Sequence, residues 1–476
     1  NPVARTQGLG DLAYGELGIE MIPIEDLIGT KGKDQKSFNQ TDIALATQYA
    51  CEDADIAWRL YEKLAPELKK EGFEELAEKT EWPLIEVLGD MELAGIELDV
   101  EFLAKFNKKL SKDILGCQEK IWKIAGSTFN ISSPNQLQDV LFNKLDLPTQ
   151  GVKKGKTGYS TAANELDRLR GTHEIIDHIS QYRELTKLKS TYVDALPGQV
   201  SKVDGRIHTS FNQTIAQTGR LSSINPNLQN IPVRTEIGRE IRKAFVAPKG
   251  RVLVSADYSQ IELRVAAALS KDEGMIETFK KGIDLHQQTA AELYDVKLED
   301  VTKEQRYAAK TINFGVLYGM SAHGLTVATG MTHEESVAFI NRYFEVRPKL
   351  KQYIEDTKAF ARKHEYTATL LGRKRPCPEI NSKNHIISAA AERMAVNVPI
   401  QGTAADIYKL AMIAVAPKLD EDTKLLLQIH DELIVETDKE NAEKVAKILK
   451  DTMEKAYDLG VPLAVDTDFG KNWGEL

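Results

Sequence analysis

The sequence predicts a mixed α/β (α+β) fold, with a small buried sheet set among long helical stretches. Three observations predict it. Residues 251–257 are a short, apolar, β-branched run that reads as a buried strand ending at Asp257. Residues 425–429 and 433–436 are two further apolar runs flanking His430-Asp431-Glu432, which reads as a β-hairpin with these polar residues at its tip. Residues 81–197 and 266–385 are mainly helical in pattern, apart from a Gly- and Lys-containing interruption at 151–158.

In chain order, an amphipathic helix starts near Thr41-Asp42 and ends near Leu64, carrying Tyr49, Cys51 and Asp53. Asp99-Val100-Glu101 is an acidic pair at a helix N-terminus, where the helix dipole favours it. Ser132-Ser133-Pro134-Asn135 opens another helix with a hydroxyl cap and a proline in the first turn. After Asp257 the chain turns into a helix, and strand signals return from about residue 386 onward.

A length of 476 residues predicts two or more domains, and 42% hydrophobic with 28% charged content is that of a soluble globular protein. No apolar run approaches the roughly 18 residues of a membrane span, so no membrane partner is expected. Asn1-Pro2-Val3-Ala4-Arg5 has neither an initiator Met nor a signal-peptide pattern, which suggests a fragment or a processed product. Cys51, Cys117 and Cys377 are far apart and odd in number, as expected for reduced thiols in a cytoplasmic protein. A monomer is expected.

The net charge of −9 argues mildly against a nucleic-acid partner, but DNA contacts depend on local stripes. Such stripes occur at Lys153, Lys154 and Lys156, at Arg183, Lys187 and Lys189, and at Arg239, Arg242 and Lys243. Each has the alternative reading of a solvated face.

Within the helical region, Arg306, Lys310, Phe314 and Tyr318 are each four residues apart and share one slowly drifting helix stripe. A core helix would place aliphatic residues there, because an unpaired buried cation is costly. Two cations followed by two rings suit a ligand with phosphates at one end and a sugar and base at the other. Asp257 and Asp431-Glu432 can converge if their strands are neighbours. Crowded carboxylates repel, and Mg²⁺, which binds through one or two carboxylates plus substrate phosphates, would relieve that repulsion. Two such ions can activate an attacking oxygen and stabilise a leaving one.

These blocks resemble motifs A, B and C of family A DNA polymerases: Asp257-Tyr258-Ser259-Gln260-Ile261-Glu262-Leu263-Arg264, the Arg306 to Gly319 segment, and His430-Asp431-Glu432. Thr218-Gly219-Arg220-Leu221-Ser222-Ser223, with Pro226-Asn227-Leu228-Gln229-Asn230-Ile231-Pro232, resembles a fourth block, and the Arg393 to Asp406 segment a fifth. Ala216-Gln217 departs slightly, since relatives often carry another Thr there.

The resemblance implies a right-hand polymerase: thumb at 81–199, palm at 200–265 and 386–476, fingers at 266–385. Tyr49 and Asp53 in residues 1–80 resemble the third motif of an RNase H-like 3′→5′ exonuclease domain, whose other metal ligands lie upstream of that motif. A site with so few ligands implies no proofreading by this chain. The implied partners are primer–template DNA and deoxynucleoside triphosphates, and the implied cofactor is two Mg²⁺ ions.

By the same resemblance, Asp257 and Asp431 bind metal, with Glu432 in support. Arg306, Lys310 and His286 contact the triphosphate, and Lys310 also serves to protonate the leaving pyrophosphate. Phe314, Tyr318 and Gln260 border the nucleotide, and Glu262 is the steric gate that occupies the space of a ribose 2′-hydroxyl. Arg220 and Gln401 test base-pair geometry through minor-groove acceptors present on every pair. Arg393 and Asn397 touch template and primer, His430 holds the primer-terminal sugar, and Arg183 and Lys187 grip duplex DNA. A single-subunit RNA polymerase and a non-catalytic DNA-binding relative are the competing readings.

Overall fold

The computed structural model describes residues 7–156, 158–233 and 235–476. The expectation drawn from Asn1 to Arg5 therefore lies outside the described residues. The first long helix, α1 (Ile43–Lys70), is capped by Asp42, which accepts from the Ala44 and Leu45 amides. It runs six residues beyond its expected end, through Pro66. Proline removes one helical donor, but packing of Leu60 and Leu64 against residues 9–21 keeps the last turns in place.

Next come α2 (Trp82–Ala94) and the 26-residue α3 (Val100–Ala125), which starts at the Asp99 cap as its acidic residues foretold. Helix α4 (Pro134–Gln138) begins with the expected Ser133 cap and first-turn proline. Helix α5 (Ile175–Leu188) packs along α3, burying Leu185 and Leu188 against Leu103, Phe106 and Leu110.

The central sheet brings together segments that are far apart in sequence. Strand β1 (Arg251–Tyr258) ends one residue beyond Asp257 and is followed by α6 (Ile261–Ser270). The helices that follow include α7 (Leu285–Tyr294), α8 (Lys303–Leu317) and α9 (Pro348–His364). A short hairpin, β2 (Tyr366–Ala368) and β3 (Lys374–Pro376), precedes the 31-residue α10 (His385–Val415). Then come β4 (Lys424–Ile429), β5 (Glu432–Asp438), α11 (Ala442–Met453) and β6 (Val465–Gly470). The sheet order is β4-β5-β1-β6, antiparallel at every pairing.

Strand β1 is apolar from Val252 to Val254 and again at Ala256 because both of its faces are covered there. Val252, Val254, Ala256 and Tyr258 join one core with helices α6 to α11. Leu253 faces a second core formed by α3, α5, Phe245 and Trp473. Strand β5 divides its side chains in the same way: Leu433 and Val435 to the first core, Ile434 to the second. A register shift between Leu425 and Leu427 does the same for β4.

Small pieces of sheet not expected from the sequence include Lys154–Gly155 paired with Gly158–Tyr159 and two others. Ile96–Leu98 pairs with Arg206–Ile207 and Phe245–Val246, and β2–β3 lies inside the otherwise helical 266–385 interval. Strands of two or three residues are too short to produce a readable alternation.

Candidate active site

The hairpin β4–β5 turns through His430 and Asp431, with His430 at φ 56°. Left-handed backbone at a non-glycine residue is uncommon and tends to mark functional positions. Gln428 holds the turn by donating to the His430 carbonyl at 2.6 Å. The Tyr258 amide donates to the Asp431 carbonyl at 3.1 Å, tying the turn to the end of β1.

Register then aligns three acids across the sheet: Glu432 on β5 is opposite Asp257 on β1, which is opposite Asp466 on β6. Directly opposed side chains on one face are about 5 Å apart at Cβ. Asp466 escaped the sequence reading because only strand pairing brings it beside the other two. Asp257 opens to solvent, yet the enclosing walls and the Asp431, Glu432 and Asp466 charges push its pKa up to about 7. Burial also raises Asp431 and Glu432, opposed by Arg220 and Arg242 respectively.

This concentration of negative charge fits a divalent cation. Among the described residues no three His, Cys, Asp or Glu side chains enclose a metal site. An ion here would take one or two carboxylates and complete its shell with substrate oxygens and water, which is the preference of Mg²⁺.

Helix α8 carries the predicted stripe. Its N-terminus has a Thr302–Gln305 capping box, and Ala308, Ala309, Ile312 and Val316 bury its inner face. Arg306 and Lys310 are exposed on the other side, Phe314 is half-buried, and Tyr318 caps the C-terminal end. Arg306 is held by Asp284, with Nη2 to Oδ2 at 2.5 Å. Gly319, at φ +65°, lies so close to α10 that a Cβ there would come within 2.5 Å of Arg393 Cγ.

His286 is only 2% exposed. Its Nδ1 lies 3.0 Å from Asn313 Nδ2, and its ring packs at 5.6 Å from that of Phe314. Burial pushes its pKa down to about 4. With Asn313 donating to Nδ1, the neutral ring carries its proton on Nε2 and can donate from there. Asn313 was missed by sequence reasoning, since a polar residue on a helix gives no sign that it orients a histidine.

One chain of contacts joins the motifs. Glu262, 6% exposed, accepts from Arg220 Nη2 at 2.5 Å and from the Tyr318 hydroxyl. Arg220 also lies 3.8 Å from Asp431, and Gln401 is beside the Tyr318 side chain. Arg393, Asn397 and Gln401 follow one another at four-residue spacing on α10, the first exposed and the others half-buried. Gln260 stands at the start of α6 at φ 55°. His430 is exposed at the hairpin tip.

Two predicted basic stripes are thinner than expected. Arg183 donates to the Thr161 carbonyl, which commits its guanidinium to the protein and leaves Lys187 as the exposed cation of the pair. Arg242 is buried, stacks on Trp473 at 4.0 Å and donates to the Ile231 carbonyl at 3.2 Å. Helical spacing alone does not reveal which cations the fold uses internally.

Comparison with known proteins follows the same lines. The model of DNA polymerase family A matches residues 100–475. A thermostable DNA polymerase I from Thermus thermophilus is 50% identical over 430 residues, covering 90% of this chain and 52% of that protein. DNA polymerase I of Chloroflexus aurantiacus is 48% identical over 484 residues, covering 100% of this chain and 51% of that protein. This chain thus spans about half the length of those curated relatives. A solved structure of the polymerase domain of Pol1 from M. smegmatis, in complex with DNA primer-template and dNTP, aligns with a TM-score of 0.87 at 39% identity. That alignment covers 100% of this chain and 80% of the other. Among the described residues no helix is long and apolar enough to cross a membrane. The matched span takes in the sheet, the cation–aromatic helix and the aligned acids, and this chain belongs to DNA polymerase family A.

Proposed function

We propose that this chain carries out template-directed DNA synthesis, adding deoxynucleotides to a primer 3′-hydroxyl with release of pyrophosphate. The observation that carries this reading is the Arg220–Glu262–Tyr318 chain of contacts, which links the acidic end of the sheet to the cation–aromatic face of α8. A nucleotide bound between them would meet the phosphate-binding cations, the acids and a sugar-excluding carboxylate at once.

The family is metal-dependent, and we assign two Mg²⁺ ions to Asp257 and Asp431, with Glu432 in support. When bound, the ions supply charge neutralisation at the reacting phosphate and its leaving group. Arg306 and Lys310 hold the triphosphate, with Lys310 as the proton donor to pyrophosphate, and neutral His286 adds an Nε2–H donor. Binding requires Arg306 to exchange Asp284 for phosphate. Phe314 packs on the sugar, Tyr318 lies by the template base, Gln260 borders the nucleotide, and Glu262 blocks a 2′-hydroxyl.

Arg220 and Gln401 contact the minor groove at the primer end, Arg393 and Asn397 contact template and primer, and His430 holds the terminal sugar. Lys187 contacts duplex DNA. The long α3–α5 pair supports residues 81–199 as thumb, the helices of 266–385 support fingers, and the sheet segments 200–265 and 386–476 support palm. Tyr49 and Asp53, side by side on α1, support residues 1–80 as an exonuclease remnant.

Primer extension on a defined template, with and without Mg²⁺ and with deoxy- or ribonucleotides, tests the reading. Mg²⁺-dependent extension with deoxynucleotides is expected. Primer–template binding without any extension would overturn it.

A further inference from the structure

Beneath the Arg220 loop lies a cluster of four charges that the proposed chemistry does not use. Asp406 and Lys409 come from α10, Glu81 directly precedes α2, and Arg373 comes from the turn between β2 and β3. Arg373 donates through Nε and Nη2 to Asp406 Oδ1 at 2.8 and 2.6 Å, and through Nη2 to Glu81. Lys409 donates to Glu81 Oε1 at 2.7 Å, and Thr369 donates to Asp406 Oδ2 at 2.7 Å. Asp406 is 0% and Lys409 1% exposed, so these charges are removed from water. A buried ion cluster adds little stability over apolar packing of the same volume, whereas its hydrogen bonds fix one geometry.

That geometry bears on the backbone of residues 217–220. Gly219 is at φ +80°, and a Cβ there would fall 2.4 Å from Arg373 Nε, so the guanidinium is pressed against the loop. On the α10 side, a Cβ on Gly402 would fall 2.5 Å from Thr369 Cγ2 and 3.1 Å from the Thr218 carbonyl. A second hairpin arginine, Arg375, donates to Gln217 Oε1 at 2.6 Å. One residue past Gly219, Arg220 grips the Glu262 carboxylate and approaches Asp431.

We propose that Arg373, locked by Asp406 and Glu81, is a positioning residue that seats the Gly219 backbone and thereby sets how Arg220 holds Glu262. Discrimination against ribonucleotides, and against mismatched primer ends, then depends on a side chain that touches neither nucleotide nor DNA. This inference rests on the polymerase reading of the site.

Arg373→Lys tests it, because lysine keeps the charge but loses the two-nitrogen grip on Asp406. The readouts are kcat and KM for deoxy- and ribonucleotides, extension from matched and mismatched primer ends, primer–template Kd, and thermal unfolding by circular dichroism. We expect kcat for the matched deoxynucleotide to fall about tenfold, equivalent to ~1.4 kcal/mol. The preference for deoxy- over ribonucleotide should fall about fivefold or more, with primer–template Kd within about twofold. Arg373→Met, which also loses the charge, should be worse on the same ratios.

A folded Arg373→Lys protein with both discrimination ratios unchanged would overturn the inference, even if its Tm were lower. If that variant does not fold, Gln217→Leu decides, since it cuts the loop's tie to Arg375 from an exposed position while the buried Arg375 keeps its bond to the Pro376 carbonyl. A shift in either ratio supports the inference, and unchanged ratios overturn it. Absence of Mg²⁺-dependent extension by the unsubstituted protein would instead defeat the polymerase reading itself.

Discussion

At Asp257, strand register and burial act in the same direction. The carboxylate opens to solvent and is flanked by acids on both neighbouring strands, whose repulsion an incoming cation would relieve. Asp257→Ala and Asp431→Ala should each lower extension about a thousandfold or more. Primer–template affinity should stay nearly constant, because it comes from distributed phosphate contacts. Extension at more than a few per cent of the wild-type rate by either variant would refute the assignment.

Glu262 is held by partners on two other segments, which fixes the carboxylate that we propose as the steric gate. Glu262→Ala should raise ribonucleotide use relative to deoxynucleotide by about tenfold, or ~1.4 kcal/mol. An unchanged ratio would remove the steric-gate role.

His286 links the site to pH. Its pKa of about 4 lies below the ordinary 6.5, so between those values the unfolded chain binds a proton that the native fold does not. Stability contributed above pH 6.5 is therefore lost as pH falls towards 4, by up to roughly 3 kcal/mol. Urea unfolding at several pH values should show a shallower acid loss for His286→Gln than for wild type, and parallel curves would contradict this.

Among elements, α10 shows how local sequence and tertiary structure answer each other. Pro399 sits inside the helix and cannot donate to the Ala395 carbonyl four residues earlier. Thr367, on β2, supplies the missing donor at 3.1 Å and is itself 2% exposed. The short hairpin thus repairs the helix that carries Arg393, Asn397 and Gln401. Thr367→Val keeps the shape but removes the donor, and should cost about 1–3 kcal/mol in denaturant unfolding. A cost within about 0.3 kcal/mol would show that the carbonyl finds another partner. The hairpin itself was hidden in the sequence because three-residue strands carry no usable period. The helix start at Asp99, the cap at Ser133 and the His430–Asp431 turn were legible, since each depends on side chains acting on adjacent backbone.

For the whole molecule, sheet order joins residues 251–258 to strands from 424–470, with most of the helical interval between them. With a net charge of −9, the proposed DNA binding would depend on where the exposed cations lie, and two predicted stripes lose an arginine to internal contacts. At the other end, Tyr49 and Asp53 sit on α1, and Asp53 is the one carboxylate of that motif set against the two Mg²⁺ ions such a nuclease site would hold. The 476-residue chain should therefore leave a mismatched primer 3′ end intact when incubated with Mg²⁺ and no nucleotides. Steady 3′ loss abolished by Asp53→Ala would show a working exonuclease site, and loss unaffected by that change would show a nuclease elsewhere.

The sequence by itself determined the fold class, the strand and hairpin carrying the acids, and the cation–aromatic face of α8. Those features rest on periodicity and local caps, which are encoded within a few residues of where they act. Only the tertiary structure decided that Asp466 joins Asp257, that Asn313 orients His286, and that Arg183 and Arg242 are used inside the fold. It also decided that Arg220, Glu262 and Tyr318 meet, although 42 and 56 residues separate Glu262 from its two partners. Each of these depends on strand register or on packing between distant segments, and a linear pattern carries no term for either.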